Sequence, residues 1–522
     1  MALLSAKKEL VTALEKVAGE TTTGDLADAA NADILVSTAE PTLDVEFFDR
    51  EYLRSTISKL KSVPGQLAGG VTATFELQGN DGDSFAAGVP AWTKFMEMAG
   101  YRRVAIGRAT AAGSASQTSW SESDGPLRHG EIIEDSVGAT ARIVGDVPFG
   151  QRTFFYEPLS GSVSASNTPW TTSDTEISVV MSGSPAAAGD RGWAWLPVSE
   201  SLKQLTATGS ISVVAGDVYR GDGGAGGAAD DGAVIVIAED SSSSTTVVYR
   251  AGSVAPVDGE VFNLASGSGP ASFTAATPTN EDFKQWPTGS IRLNEDGVAL
   301  DFVACRGNIS FNFEVNRPVT ATFTARGRWS TGDSGESIDG VGDAPLLGGA
   351  PEVLDPKVWQ GQAIGIGINE TISEMHLEAE EVPCLKSMSL DSGVTLTDVK
   401  CAASENGLLE IIGSSRSGSG SLETNATVEE EIPWLTTLRS GEVVRLKVQV
   451  GGAPTTVGGL IFQIPGIQYT GASSGDSDGI LTRSMDFSLN GAVINNLGAT
   501  PDGEISSTSG DNELIIIYST DA

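Results

Sequence analysis

At 522 residues and 53.8 kDa the chain is too long for one ordinary core, so roughly two to four domains are expected. An apolar fraction of 40% excludes general disorder, and a net charge of −36, from 68 acidic and 32 basic residues, repels the phosphate backbone and argues against a sequence-specific DNA binder. So acidic a surface serves solubility, or it lines a wall that a polyanion passes without sticking.

In chain order, residues 3–18 (LLSAKKELVTALEKVA) set Leu3, Leu10, Leu14 and Val17 at helical spacing, which predicts a short amphipathic helix, the alternative being a mobile arm. Residues 20–32 are small and polar and read as a linker. From Ile34 the texture turns to β: Asp44-Val45-Glu46-Phe47 alternates, and residues 71–77 run into the turn cluster Gly79-Asn80-Asp81-Gly82. The stretch from Pro90 to Gly100 opens on proline, carries Trp92, Phe95, Met96 and Ala99, and closes on glycine, which predicts a helix.

Residues 112–288 are rich in Gly, Ser, Thr, Ala and Asp, and their only lysines are Lys203 and Lys284. Strand-like runs at 140–144, 153–156, 177–181, 211–214, 234–237 and 246–249 predict one or two β-sandwich or barrel modules, inserted into the surrounding pattern. Residues 290–293 lead into Asn294-Glu295-Asp296-Gly297, a hairpin turn, followed by runs at 298–304, 308–315 and 319–326. Residues 331–352 read as a linker. A last β block, 358–522, holds runs at 363–368, 385–390, 407–412, 418–426, 443–450, 459–464, 481–489 and 513–518.

The last block repeats the order of the first. In both, a β run and an acidic stretch precede a proline-led helix, Pro90-Ala91-Trp92 in one and Pro433-Trp434-Leu435 in the other. Each helix closes on a glycine, Gly100 or Gly441, and long strands follow. A duplicated unit has a physical consequence: three chains fill six equivalent places in a closed ring, so a pseudo-hexameric trimer is favoured over a hexamer.

Chemistry-bearing motifs are sparse. Cys305, Cys384 and Cys401 fit no zinc or CxxC spacing, and an odd number opposes a disulfide framework. His129 reads as a loop residue and His376 as a strand residue, each without a second ligand at metal spacing. The turns Gly221-Asp222-Gly223-Gly224 and Asp476-Ser477-Asp478-Gly479 carry only part of a calcium-loop ligand series. No Gly-x-Ser-x-Gly elbow in a strand-to-helix context, no P-loop and no HExxH is found, so no enzyme and no cofactor are expected. The N-terminus lacks the apolar core of a signal peptide, and no apolar run nears the roughly 20 residues of a membrane span.

Several stretches together resemble the tail tube (major tail) proteins of long-tailed, non-contractile phages. They are Glu40 to Val45 with Arg50 to Arg54, Val63-Pro64-Gly65, residues 70–77, the Pro90-Ala91-Trp92 helix with Ala99-Gly100-Tyr101, residues 305–311 and 319–327, and residues 467–471 with 476–480. The likeness covers most of 30–110 and 289–522, and residues 112–288 depart from it. It implies a mostly β fold: two tandem β-sandwich or half-barrel units with short flanking helices, plus the inserted all-β region. The corresponding division is an N-terminal arm (1–32), a first unit (33–111 and 289–340), outward-facing inserted modules (112–288), a linker (341–357) and a second unit (358–522).

It also implies a virion protein assembled in the host cytoplasm. Its copies stack as rings around a channel through which double-stranded DNA is ejected without specific binding. The implied partners are further copies, a tape measure protein, and tail terminator and distal tail proteins, with no membrane.

On that reading every second residue of the inner strands faces the lumen. Asp44, Glu46, Glu76, Glu314, Glu378 and Glu380 are the acidic candidates, with bulk solvent as the alternative setting. Arg50, Arg54, Lys59 and Lys61, in the mixed-charge stretch 49–64, are candidates for contact with the next ring, with a solvated surface loop as the alternative. The competing class is an extracellular glycan-binding or glycan-active β protein, adhesin-like or lyase-like. The missing secretion signal and the 6% aromatic content weigh against it.

Overall fold

Period-two alternation turns most of the chain into strands. The computed structural model describes residues 8–15, 26, 34–48, 63–77, 90–110, 127, 132–137, 139–145, 153–160, 169–172, 178–180, 192–197, 202–211, 213, 218–221, 234–237, 244–251, 260–266, 270–284, 287–295, 298–330, 341–343, 364–368, 385–401, 408–425, 434–441, 443–450, 459–477, 479–490 and 513–519. Among these, a 16-stranded antiparallel sheet is the largest element, and the fold is mostly β with two short helices.

The first half of the chain contributes β1 (Lys8–Glu15), β2 (Val36–Phe48), β3 (Val63–Glu76), helix α1 (Thr93–Met98), β4 (Thr288–Glu295), β5 (Val298–Glu314) and β6 (Thr320–Trp329). The second contributes β7 (Ile364–Ile368), β8 (Leu385–Asp391), β9 (Val394–Lys400), β10 (Leu408–Arg416), β11 (Ser419–Asn425), helix α2 (Trp434–Ser440), β12 (Val443–Val450), β13 (Gly459–Ser477) and β14 (Ile480–Leu489).

Hydrogen-bonded neighbours in the first half run β1-β4-β5-β6-β3-β2. In the second they run β7-β12-β13-β14-β11-β8. The two orders coincide strand for strand, and the second half adds the β9–β10 hairpin between β8 and β11. Each helix follows the third of its six strands and stops at a glycine in the left-handed region, Gly100 at φ 85° and Gly441 at φ 69°, a conformation that L side chains avoid. The halves share one continuous apolar core.

Helix α1 sits at the centre of that core. The Phe95 ring stacks on Phe323 of β6 at 4.6 Å and lies 5.1 Å from Phe75 of β3. Trp92 packs on Trp195 at 6.1 Å. That tryptophan lies on Gly192–Pro197, a strand hydrogen-bonded to Tyr101–Ala105 on one side and to Ile515–Ser519 on the other, the latter also pairing with β13.

The inserted region is therefore interrupted, because Gly192–Pro197 belongs to the main sheet. Before it, a six-stranded sheet that includes Gly107–Thr110 and Thr140–Val144 packs around Trp170. After it, a closed six-stranded barrel running from Leu202–Ile211 to Ser272–Lys284 encloses Tyr219, Phe262 and Phe273. The run expected at 211–214 instead marks the end of a strand at Ile211, and that at 177–181 shortens to Ser178–Val179.

Four other expectations are corrected. The helix or arm at 3–18 is strand β1 over its described residues, paired along its length with β4. Local helical spacing yields here to a sheet edge that needs a partner. Its last residue, the buried Glu15, accepts hydrogen bonds from Thr288 Oγ1 (2.8 Å), Ser290 Oγ and the Ala304 amide (2.8 Å). Leu26, in the expected linker, is fully buried, and its carbonyl accepts from Arg292, which is itself clamped to Asp301 at 2.7 Å. Val341–Asp343, also placed in a linker, pairs with β5. The runs at 298–304 and 308–315 are one strand, bent at Ala304 (φ 52°), where its register against β6 shifts.

Candidate assembly surface

Alternation gives the main sheet two unlike faces. One row of directly paired residues reads Phe75, Ala321, Phe311, Leu390, Gly420, Phe487 and Tyr469. It faces the core. The adjacent row reads Thr38, Thr74, Thr322, Ser310, Asp391, Ser419 and Ser488, and the next reads Glu76, Thr320, Asn312, Ser389, Ser421 and Asp486. Hydroxyls on this second face bond across strands, Thr74 with Thr322 at 3.2 Å and Ser389 with Ser421 at 2.9 Å. A groove of about 420 Å³, lined by Ser310, Asn312, Thr322, Ser389 and Ser421 among others, crosses from one half to the other.

This polar face is hydroxylic, with scattered carboxylates and little positive charge. Arg326 stands on it, and its guanidinium is clamped by Asp398 at 2.9 and 2.8 Å and touches Asp44 at 3.3 Å. Hydrogen bonding to Asp398 raises the arginine's pKa further. Such a surface offers a polyanion few cations to condense on.

The two halves meet where β5 pairs with β8, from Ser310↔Asp391 to Glu314↔Ser387. Backbone bonds extend the junction, from the Val315 amide to the Lys386 carbonyl (3.2 Å) and from the Ser392 amide to the Ile309 carbonyl (3.0 Å). Asn308 locks it: its Nδ2 donates to Asp391 (2.7 Å), and its Oδ1 accepts from Ser392 Oγ (2.7 Å) and the Val394 amide (2.9 Å). The β9–β10 hairpin then folds across the first half. Asp398 holds Arg326, Glu410 holds Arg306 at 2.8 Å, and Lys400 reaches Glu46 at 3.3 Å. Burial lowers the pKa of Arg306, and Glu410 opposes that.

Two edges contrast with this junction. Among the described residues β2 pairs with β3 alone, and most of its described side chains are exposed. The last part of β13, residues 471–477, pairs with β14 on one side and is largely exposed on the other. Leu43 on β2 is 45% exposed and Leu481 on β14 is 55% exposed, although both lie in the apolar phase of their strands.

Of the acidic candidates, Asp44, Glu76 and Glu314 lie on the polar face, and Glu314 is bound to Arg317 at 2.7 Å. Glu46 sits at the hairpin contact with Lys400. Glu378 and Glu380, the ring-contact candidates Arg50, Arg54, Lys59 and Lys61, and both histidines lie outside the described residues. Sequence reasoning passed over the hydroxyl rows and the Asn308–Asp391–Ser392 lock. The alternating Thr-Ala-Thr-Phe-Thr of β6 and Ser-Met-Ser of β8 were the available signal.

No protein-family model and no curated protein sequence matches the chain. Among solved structures, a chain from the tail of an empty GTA particle with C6 symmetry aligns at 17% identity and TM-score 0.18, covering 24% of this chain and 89% of that one. A chain from the virion of a native gene transfer agent particle aligns at 19% identity and TM-score 0.18, covering 24% of this chain and 91% of that one.

Proposed function

We propose that this chain is the subunit of a phage-type tail tube and acts as a structural protein, with no catalytic role. The observation that carries the reading is the repeated six-strand order, joined through β5 and β8 into one sheet with exposed edges along β2 and along residues 471–477 of β13. A sheet with one such junction inside the chain and open edges of the same kind outside it is built to continue into further copies. Closure into a ring removes the edges. Three chains, each supplying two equivalent units, fill six places around the axis.

The polar face then lines the bore. Its hydroxyl rows hydrogen-bond weakly and interchangeably, and its carboxylates repel phosphates, so double-stranded DNA passes without being held. A tape measure protein occupies the bore beforehand, and terminator and distal tail proteins close the ends of the stack. The tube belongs to the virion and is assembled in the host cytoplasm. The inserted sheet and barrel lie outside the bore.

Native mass spectrometry and negative-stain microscopy of the purified full chain test this. Rings or tubes with three chains per ring are expected. Six chains per ring would remove the trimer, and flat sheets or a persistent monomer would remove the tube.

A further inference from the structure

From the internal junction we infer the register of the junction between copies: residues 471–477 of β13 in one copy pair antiparallel with residues 42–48 of β2 in the next, Gly475 opposite Asp44. This deepens the tube reading and rests on it.

The correspondence follows the ladders. Matching the bulge of the β5–β6 ladder, which resumes at Arg306↔Arg326, to that of the β13–β14 ladder, which resumes at Gly471↔Asp486, sets the correspondence used here. Stepping outward, Thr324↔Thr72 and Thr72↔Glu40 match Ser484↔Glu423 and Glu423↔Ser387. Asp391 of β8 therefore corresponds to Asp44 of β2, and Ser310 of β5 to Gly475 of β13. The observed pair Ser310↔Asp391 becomes Gly475↔Asp44 between copies.

Three independent features fit that register. The first is backbone phase. On β8 the groups of Lys386 and Ser392 point to β5, and their equivalents on β2 are Ala39 and Val45. Pro41 shares that phase and has no N–H to donate, and the Ala39 carbonyl already accepts from Lys8 Nζ at 3.1 Å, so this phase points away from β3. The second is burial. Leu43 is 45% exposed where its equivalent Leu390 is 1% exposed, and Leu481 is 55% exposed where its equivalent Ala321 is 1% exposed. The third is the side-chain lock. Asn308 and Asp391 correspond to Ser473 and Asp44, again a donor opposite a carboxylate.

Cysteine pairs read the register directly. Directly opposed residues sit about 4.5–5.5 Å apart at Cα, within disulfide reach, whereas a two-residue slip moves them beyond the roughly 7 Å limit. In the full chain, L43C/D476C and, independently, T42C/S477C should form interchain disulfides on mild oxidation of assembled rings. L43C/S474C and the four single variants should not. Cross-linking by L43C/S474C in place of L43C/D476C would overturn the register. Rings without a cross-link from either expected pair would overturn this junction and leave the tube standing. A parent protein that never assembles would remove both.

Discussion

Leu43→Pro separates the outer edge of β2 from its inner one. Leu43 has the phase of Pro41 and Ala39, so its N–H points away from β3, and proline there leaves the β2–β3 ladder whole. The isolated chain should keep its stability to within about 0.5 kcal/mol. Each junction between copies, however, loses one hydrogen bond of about 1 kcal/mol net. Three junctions per ring lose about 3 kcal/mol, which lowers the assembly constant of the trimeric ring on the order of 10²-fold and so raises the concentration needed for assembly about tenfold, because that concentration scales as the inverse square root of the constant. Thr42→Pro is the control. Its N–H faces β3, so that variant should lose about 1–3 kcal/mol of folding stability by leaving an internal acceptor unpaired. Urea unfolding reads the first quantity, and sedimentation velocity across a dilution series reads the second. The edge argument fails if L43P assembles at the parent concentration, or if it destabilises the chain as much as T42P does.

Phe95→Ala should cost about 3–5 kcal/mol in urea unfolding, because a fully buried ring stacked on Phe323 and Phe75 leaves a cavity that a rigid sheet cannot close. Asn308→Ala removes three hydrogen bonds at the junction between halves and should cost about 2–3 kcal/mol, with faster amide exchange at Ser392 and Val394; unchanged exchange there would show that the lock is not needed. Burial holds the Cys305 thiol neutral, well above its ordinary value of 9.0, so native alkylation at pH 8 followed by peptide mapping should label Cys401 before Cys305. The sign for stability follows: with a raised folded pKa, the contribution of this thiol is constant below its ordinary value and is lost only as the solution becomes more alkaline than that.

The sequence determined what depends on near neighbours. Alternation in Thr320-Ala321-Thr322-Phe323 fixed a strand with one apolar and one polar face, and proline with a terminal glycine fixed both helices. The shared order of run, helix and long strands marked the duplication.

What required the tertiary structure depends on partners far apart in the chain. Lys8–Glu15 has helical spacing, yet it is a strand, because β4, some 280 residues later, presents an edge, and Thr288 and Ser290 of β4 with Ala304 of β5 form a cradle that Glu15 fills. Gly192–Pro197 looked like part of an insertion, yet it closes the core over Trp92, a contact that no local pattern encodes. The junction of β5 with β8, and with it the identity of the two exposed edges, is a matter of register between distant strands. Periodicity tells which face a side chain takes and is silent on which strand lies alongside.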